Sequence, residues 1–284
     1  MSRVVTLGAL VGLSLCLEGC RKDHSDPTTG VTTGGSASSV ASVGRPPRPI
    51  GVETVPIAGD LPAFVFRGTP VAGRPMVFLS GVCTHPVGYV QSFQGTAAAH
   101  GDVVTIQGDV SCGGNGALRQ WSADLDAMDR RIEAALRASG LAVEAPLGVT
   151  VIGYSQGAER AERLVARWPA RYSSAVFIAS PIVPSPRDLA KASAVVLMAG
   201  TLESQANMRS AVGPLTRAGI PATFIELPGA RHGQLGPEPS GPMGRALDFL
   251  DENDTLRDPR RGGKMKSPDA SPVTTGASAP MNPP

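Results

Sequence analysis

Gly153-Tyr154-Ser155-Gln156-Gly157 is the segment of this 284-residue chain whose residue types and setting can do covalent chemistry. The apolar run 147–152 leads into it, and 158–168 follows at helical spacing, so the serine falls at a strand-to-helix turn. A serine between two glycines at such a turn forms a nucleophile elbow. The glycines permit a tight, strained turn, which lifts the hydroxyl clear of the sheet and sets the next backbone N–H beside it. A serine hydroxyl attacks only when a neighbouring base takes its proton, and the oxyanion that develops needs N–H donors already in place. The pentapeptide alone is weak evidence in a chain with 34 glycines, so the elements around it decide its meaning.

Between residues 51 and 251, strand and helix patterns alternate. Two short alternating runs, 52–57 and 63–67, are split by Gly59-Asp60 and predict a hairpin. The continuous apolar run 75–79 predicts a strand covered on both faces. A helix over 87–100, stopped by Gly101, and a buried strand over 103–106 follow. Trp121, Leu125, Met128, Ile132 and Leu136 recur at three-to-four spacing, with Asp124, Asp129, Arg130 and Glu133 on the other side. That pattern predicts an amphipathic helix ending at Gly140. The alternation continues with strand 149–153, helix 158–168, strand 175–179, a short polar helix near 187–191 and strand 194–198. Helix 206–218, strand 223–227 and a last helix over 243–250 complete it. Two antiparallel strands followed by strand–helix units give a mostly parallel sheet of about eight strands, with helices on both faces.

The ends of the chain differ from its middle. Arg3 precedes an apolar stretch over 4–17, shorter than the ~20 residues that span a bilayer, which is the shape of a secretory signal. Leu17-Glu18-Gly19-Cys20 closes it and resembles a bacterial lipoprotein box, which implies cleavage before Cys20 and a lipid on that cysteine; Glu18 departs from the small or apolar residue usual there. Thr, Ser, Gly and Pro dominate up to Pro49 and again in the tail, where too little apolar surface exists to offset ordering. The expected organisation is a signal over 1–19, a lipidated, disordered tether over 20–50, a folded domain over 51–252 and a disordered tail over 253–284. The chain is then exported and lipid-anchored in a bacterial cell envelope, with plain secretion as the alternative. A net charge of +2 argues against nucleic acid as the main partner. No H-E-x-x-H or other metal-ligand cluster appears, and the reading calls for no metal and no cofactor.

The order of elements, with the elbow after the fifth strand, resembles the α/β-hydrolase family, of an esterase-like, cap-less kind, over 51–251. The resemblance implies a triad in chain order nucleophile, acid, histidine, the acid after the seventh strand and the histidine after the eighth. Here 194–198 is the seventh, followed by Ala199-Gly200-Thr201-Leu202-Glu203. The eighth, 223–227, is followed by Pro228-Gly229-Ala230-Arg231-His232-Gly233. The implied catalytic residues are Ser155, Glu203 and His232, with the carboxylate holding the imidazole's tautomer. Glutamate stands where the family more often has aspartate, and Asp188, after the sixth strand, is the alternative acid. Of the other histidines, His24 lies in the tether and His100 at a helix end; His85 either lines the pocket mouth or is a plain loop residue.

The same resemblance assigns one oxyanion donor to the Gln156 backbone and the other to Val82 or Cys83, in the loop Ser80-Gly81-Val82-Cys83. Cys16 leaves with the signal and Cys20 is the lipid site, so Cys83 and Cys112 remain in the body of an exported chain. They follow the third and fourth strands, which are sheet neighbours in the family, about 5 Å apart. A disulfide is expected there, bracing the oxyanion loop and the glycine-rich 113–116 loop, against the alternative of two inert thiols. Only 180–193 separates the sixth and seventh strands, where lidded relatives insert a cap. An open pocket follows, with a groove near Val82, Tyr89 and Tyr154 that favours short acyl groups. The implied function is hydrolysis of carboxylic esters of small-molecule or acyl type through an acyl-enzyme. The alternatives are a peptidase or acyltransferase with the same triad, or a non-catalytic binding module on the same scaffold.

Overall fold

Strands of three to seven residues, most of them rich in Val, Ile, Leu and Phe, supply the main sheet of the computed structural model, which describes residues 51–69, 73–114, 116–141 and 148–254. The expected signal, Cys20 and tether, and the expected tail beyond Asp254, lie outside the described residues. In chain order the first elements are β1 (Val52–Val55), β2 (Ala63–Phe66), β3 (Met76–Leu79), α1 (Pro86–Ala97) and β4 (Val103–Thr105). Then come β5 (Val110–Ser111), β6 (Arg119–Gln120), α2 (Leu125–Ala138), β7 (Val149–Tyr154) and α3 (Gln156–Arg167). β8 (Tyr172–Ile178), β9 (Ala194–Gly200), α4 (Ala206–Arg217), β10 (Ala222–Leu227) and α5 (Ser240–Glu252) follow.

Eight strands form one sheet in the order β1-β2-β4-β3-β7-β8-β9-β10. The β1–β2 and β2–β4 pairs are antiparallel, and every other pair is parallel. The strand period of two divides the core into two layers. Val77, Leu79 and Val151 face Met128, Ile132, Leu164 and Leu215 of α2, α3 and α4. Met76, Phe78 and Ile152 face Val90, Phe93, Met243 and Leu247 of α1 and α5. Both faces are therefore covered, which is why β7, β8 and β9 are buried along their whole length rather than alternating between buried and exposed positions. At the end of α5, Asp254 is buried against Arg74 at 2.5 Å, so the folded region runs through that residue.

Three local readings change. Trp121 precedes α2 instead of lying on its face, because Asp124 caps that helix by accepting the Ala127 N–H at 2.9 Å. The segment near 187–191 is a run of turns. Five residues close too few backbone bonds to offset helix nucleation, and Leu189 is held by burial instead. The small β5–β6 hairpin was not anticipated. It lies outside the main sheet, so β7 is the fifth strand of that sheet.

Candidate active site

At the carboxyl end of β7 the chain turns through Ser155, whose φ of 52° and ψ of −117° lie outside the regions open to most side chains. The Ser155 N–H donates to Ile178 O at 2.8 Å, which pins the turn to β8. The flanking glycines are steric requirements. A Cβ on Gly153 would lie 2.4 Å from Gly157 O, and one on Gly157 would lie 2.1 Å from Leu79 O. Only bare backbone lets α3 leave across β3 this closely.

The turn aims Ser155 Oγ at His232 Nε2, 3.0 Å away. On the other side of the ring, Nδ1 lies 2.7 Å from Glu203 Oε2. A proton on Nδ1 satisfies the carboxylate and leaves the Nε2 lone pair facing the serine. The Glu203 side chain is buried, 7% exposed, and its other oxygen accepts the Gly200 N–H at 2.8 Å. Asp188, the alternative acid, makes no bond to His232; its charge acts on Glu162. The structure thus brings Ser155, Glu203 and His232 together from three separate strand ends. Backbone pairing holds the last two loops in register: Leu202 N–H donates to Ala230 O at 3.0 Å, and Gly229 N–H to Thr201 Oγ1 at 2.8 Å.

Two tyrosines hold the peptide groups that follow His232. Tyr154 Oη accepts the Gly233 N–H at 2.5 Å, and Tyr89 Oη donates to Gly233 O at 3.0 Å. Their rings lie 5.1 Å apart, and the Tyr154 ring is 5.7 Å from that of His232. Burial pushes the Tyr154 phenol well above its ordinary pKa, so it stays neutral. Tyr154 is 1% exposed, so it does not line an acyl groove as expected; it positions the histidine loop. The residue before Ser155 thereby ties the serine strand to the histidine.

The loop after β3 passes directly beside Ser155, since a Cβ on Gly81 would lie 3.4 Å from Ser155 Cβ. Gln156 opens α3, where the first amides have no intrahelical acceptor. None of the Val82, Cys83 and Gln156 N–H groups has an acceptor among the described residues. Cys83 takes a φ of 52° and is bonded to Cys112, with Cα atoms 5.7 Å apart. The parallel pairing of β3 with β4 brings the two cysteines within reach. Trp121 adds a second brace. Its indole N–H donates to Ser80 O at 2.7 Å, while the Gln156 side chain bonds both its N–H and its C=O, at 3.0 and 3.2 Å. Asn115, in the glycine-rich loop, lies outside the described residues.

On the loops that follow β3, β8 and β9, Val82, Ile182, Val183 and Leu202 are exposed, and the β8–β9 connection carries turns and no capping helix. His85 caps α1 and lines a cavity beside the histidine loop. Among the described residues no group of three or more His, Cys, Asp or Glu is placed to hold a metal, and no helix is long and apolar enough to cross a membrane.

No family model matches the sequence, and no curated protein matches it. Solved structures do share its architecture. A predicted CIB-like hydrolase from Thermoplasma acidophilum superposes with a TM-score of 0.54 at 16% identity, over 71% of this chain and 98% of that one. Naproxen esterase (carboxylesterase NP) from Bacillus subtilis gives 0.53 at 12% identity, over 71% and 92%. A Bacillus cereus carboxylesterase gives 0.50 at 19% identity, over 67% and 93%. With the strand order, the elbow and the three strand-end loops in place, this chain has the α/β-hydrolase fold.

Proposed function

We propose that the chain is a serine hydrolase that cleaves carboxylic esters through an acyl-enzyme, and that it is exported and tethered to a membrane by a lipid on Cys20. The observation that carries the catalytic reading is the unbroken line from Ser155 Oγ through His232 to Glu203, with bonds of 3.0 and 2.7 Å. His232 Nε2 takes the hydroxyl proton as Oγ attacks the ester carbonyl, and Glu203 stabilises the imidazolium. The Gln156 N–H, with that of Val82 or Cys83, receives the oxyanion. The alcohol leaves with the proton from Nε2, and water then repeats the sequence to free the acid. Solved structures of the same fold that are called carboxylesterases support the reaction class. Exposed apolar side chains on the loops that follow β3, β8 and β9 suit a neutral acyl group better than a charged peptide.

Purified protein should hydrolyse p-nitrophenyl butyrate, and Ser155→Ala and His232→Ala should each lower kcat by ~10³-fold or more, because the members act as a unit. Undiminished turnover by either folded variant overturns the reading. Export is supported by the apolar run over 4–17 and by the Cys83–Cys112 bridge, a bond that persists in oxidising compartments. In a bacterial host the protein should partition into detergent, and Cys20→Ser should release it or leave it unprocessed; equal partitioning removes the lipid.

A further inference from the structure

Beside the histidine loop lies a cavity of about 330 Å³, within the size range of small-ligand sites. His85, Gly88, Tyr89 and Ser92 of the α1 end form one side, and residues 233–236 form the other. The wall is therefore the segment that continues directly from His232. Tyr89 stands between the two, stacked at 5.1 Å on the Tyr154 ring, which in turn lies 5.7 Å from the His232 ring.

The reaction fixes which part of an ester meets this wall. When the tetrahedral intermediate collapses, the C–O bond breaks and its electron pair stays on the alcohol oxygen. That oxygen takes the proton from His232 Nε2, while the acyl carbon stays on Ser155 Oγ. The alcohol half therefore lies on the histidine side, where Gly233, the residue after His232, lines the cavity.

The polar groups of the lining say what that half carries. His85 Nδ1 accepts the Val87 N–H at 3.4 Å, so the proton of the neutral ring is on Nε2, which has no partner among the described residues. Burial holds His85 below its usual pKa and keeps it neutral. Gln234 Oε1 accepts the Arg231 N–H at 3.4 Å, which leaves its NH₂ group as a donor. Ser92 Oγ gives its proton to Tyr89 O at 2.7 Å and keeps acceptor capacity. Two neutral donors, one acceptor and no charged side chain in the lining match a hydroxyl, which donates and accepts.

We propose that this cavity is the alcohol subsite and that it takes a small, uncharged, polyhydroxylic alcohol, so that the substrates are short acyl esters of glycerol- or sugar-like alcohols. The assignment rests on the ester-hydrolase reading above. Gly88 provides the test. It is exposed in α1, a Cβ there meets nothing within 4 Å, and helix propensity favours any ordinary side chain over glycine. Gly88→Leu sets a bulky side chain at the cavity lining, and its Cβ meets no neighbour.

The measurement is kcat/KM of the full-length protein in detergent for 1-monobutyrin and for n-propyl butyrate, its counterpart without the two free hydroxyls, with p-nitrophenyl butyrate as a reference. A misfolded fraction cancels in the ratio of the first two. The expected ratio is about tenfold or more in favour of 1-monobutyrin, because a site that bonds hydroxyls discriminates against an analogue lacking them. Gly88→Leu should bring it to within about twofold of unity. A ratio near one in the unaltered protein, or one that Gly88→Leu leaves unchanged, overturns the subsite. Failure to hydrolyse any of the three esters overturns the ester reading itself.

Discussion

Tyr154→Phe removes one oxygen atom and tests whether the residue before the nucleophile positions the histidine. The lost hydroxyl is the acceptor of the Gly233 N–H at 2.5 Å, and that N–H belongs to the peptide group joining residues 232 and 233. Its loss frees the backbone rotation next to the His232 Cα. A buried donor left without an acceptor costs about 1–3 kcal/mol, but Gly233 is exposed and water can replace the phenol, so the lower end applies. About 1.4 kcal/mol lost from the productive orientation of the ring corresponds to roughly tenfold in rate. The phenyl ring stays and continues to fill its place against Tyr89. Because Tyr154 is buried away from substrate, kcat for p-nitrophenyl butyrate should fall about tenfold while KM stays within about twofold. Tyr89→Phe, which removes a donor to Gly233 O, should cost less, and the double variant should be non-additive because both hydroxyls hold one residue. An unchanged kcat in folded Tyr154→Phe would refute the reasoning. The pairing of Leu202 and Thr201 with the histidine loop would then be enough to hold it.

Glu203→Gln should lower kcat by ~10²-fold or more, whereas Asp188→Asn should leave it within about twofold; the reverse order in steady-state kinetics would mean that the acid is misassigned. Cys83 and Cys112 are 29 positions apart, so replacing both by Ser should lower the unfolding free energy by roughly 3 kcal/mol in denaturant titrations. A larger relative loss in kcat than in KM is expected with it, since Cys83 lies in the proposed oxyanion loop. Glu162 gives a pH-dependent prediction. Burial foremost, with the nearby Asp188 and Glu159 charges adding, pushes its carboxyl up to about 7, while Ser185 N–H bonds one oxygen at 2.6 Å and the other is buried without a partner. A carboxyl raised in the folded state binds more protons than in the unfolded chain, so its contribution is full below about pH 4.5 and lost as pH rises through 7. Glu162→Gln should therefore become more stable relative to the parent protein by about 2–3 kcal/mol between pH 5 and pH 8, measured by denaturant unfolding; a constant difference contradicts this.

Residues with few physical options were legible in the sequence. Gly153 and Gly157 are forced by backbone contacts that any Cβ would violate, so the elbow could be read without coordinates. Apolar runs such as 175–179 and 194–198 could hardly be anything but covered strands, and counting them located Glu203 and His232. Trp121 was misread because its spacing to Leu125 happens to continue the helical stripe. The cap signal at Asp124 was present, and only the fold reveals the indole bond to Ser80 O. The role of Tyr154 was illegible for a related reason. In a strand buried on both faces, sequence does not say which layer a side chain enters, nor that a loop 79 residues later supplies its partner. Strands of two residues, as in the β5–β6 hairpin, carry too short a pattern to register at all.

The central claim is that Ser155 is a nucleophile activated by His232. Labelling of the folded protein with a fluorophosphonate, followed by intact mass and peptide mapping, tests it directly, because the probe bonds to an activated serine hydroxyl. The account predicts about one adduct per chain, on Ser155, absent in Ser155→Ala and formed far more slowly in His232→Ala. Adducts on other serines with Ser155 unmodified, or labelling of His232→Ala at the parent rate, would contradict it.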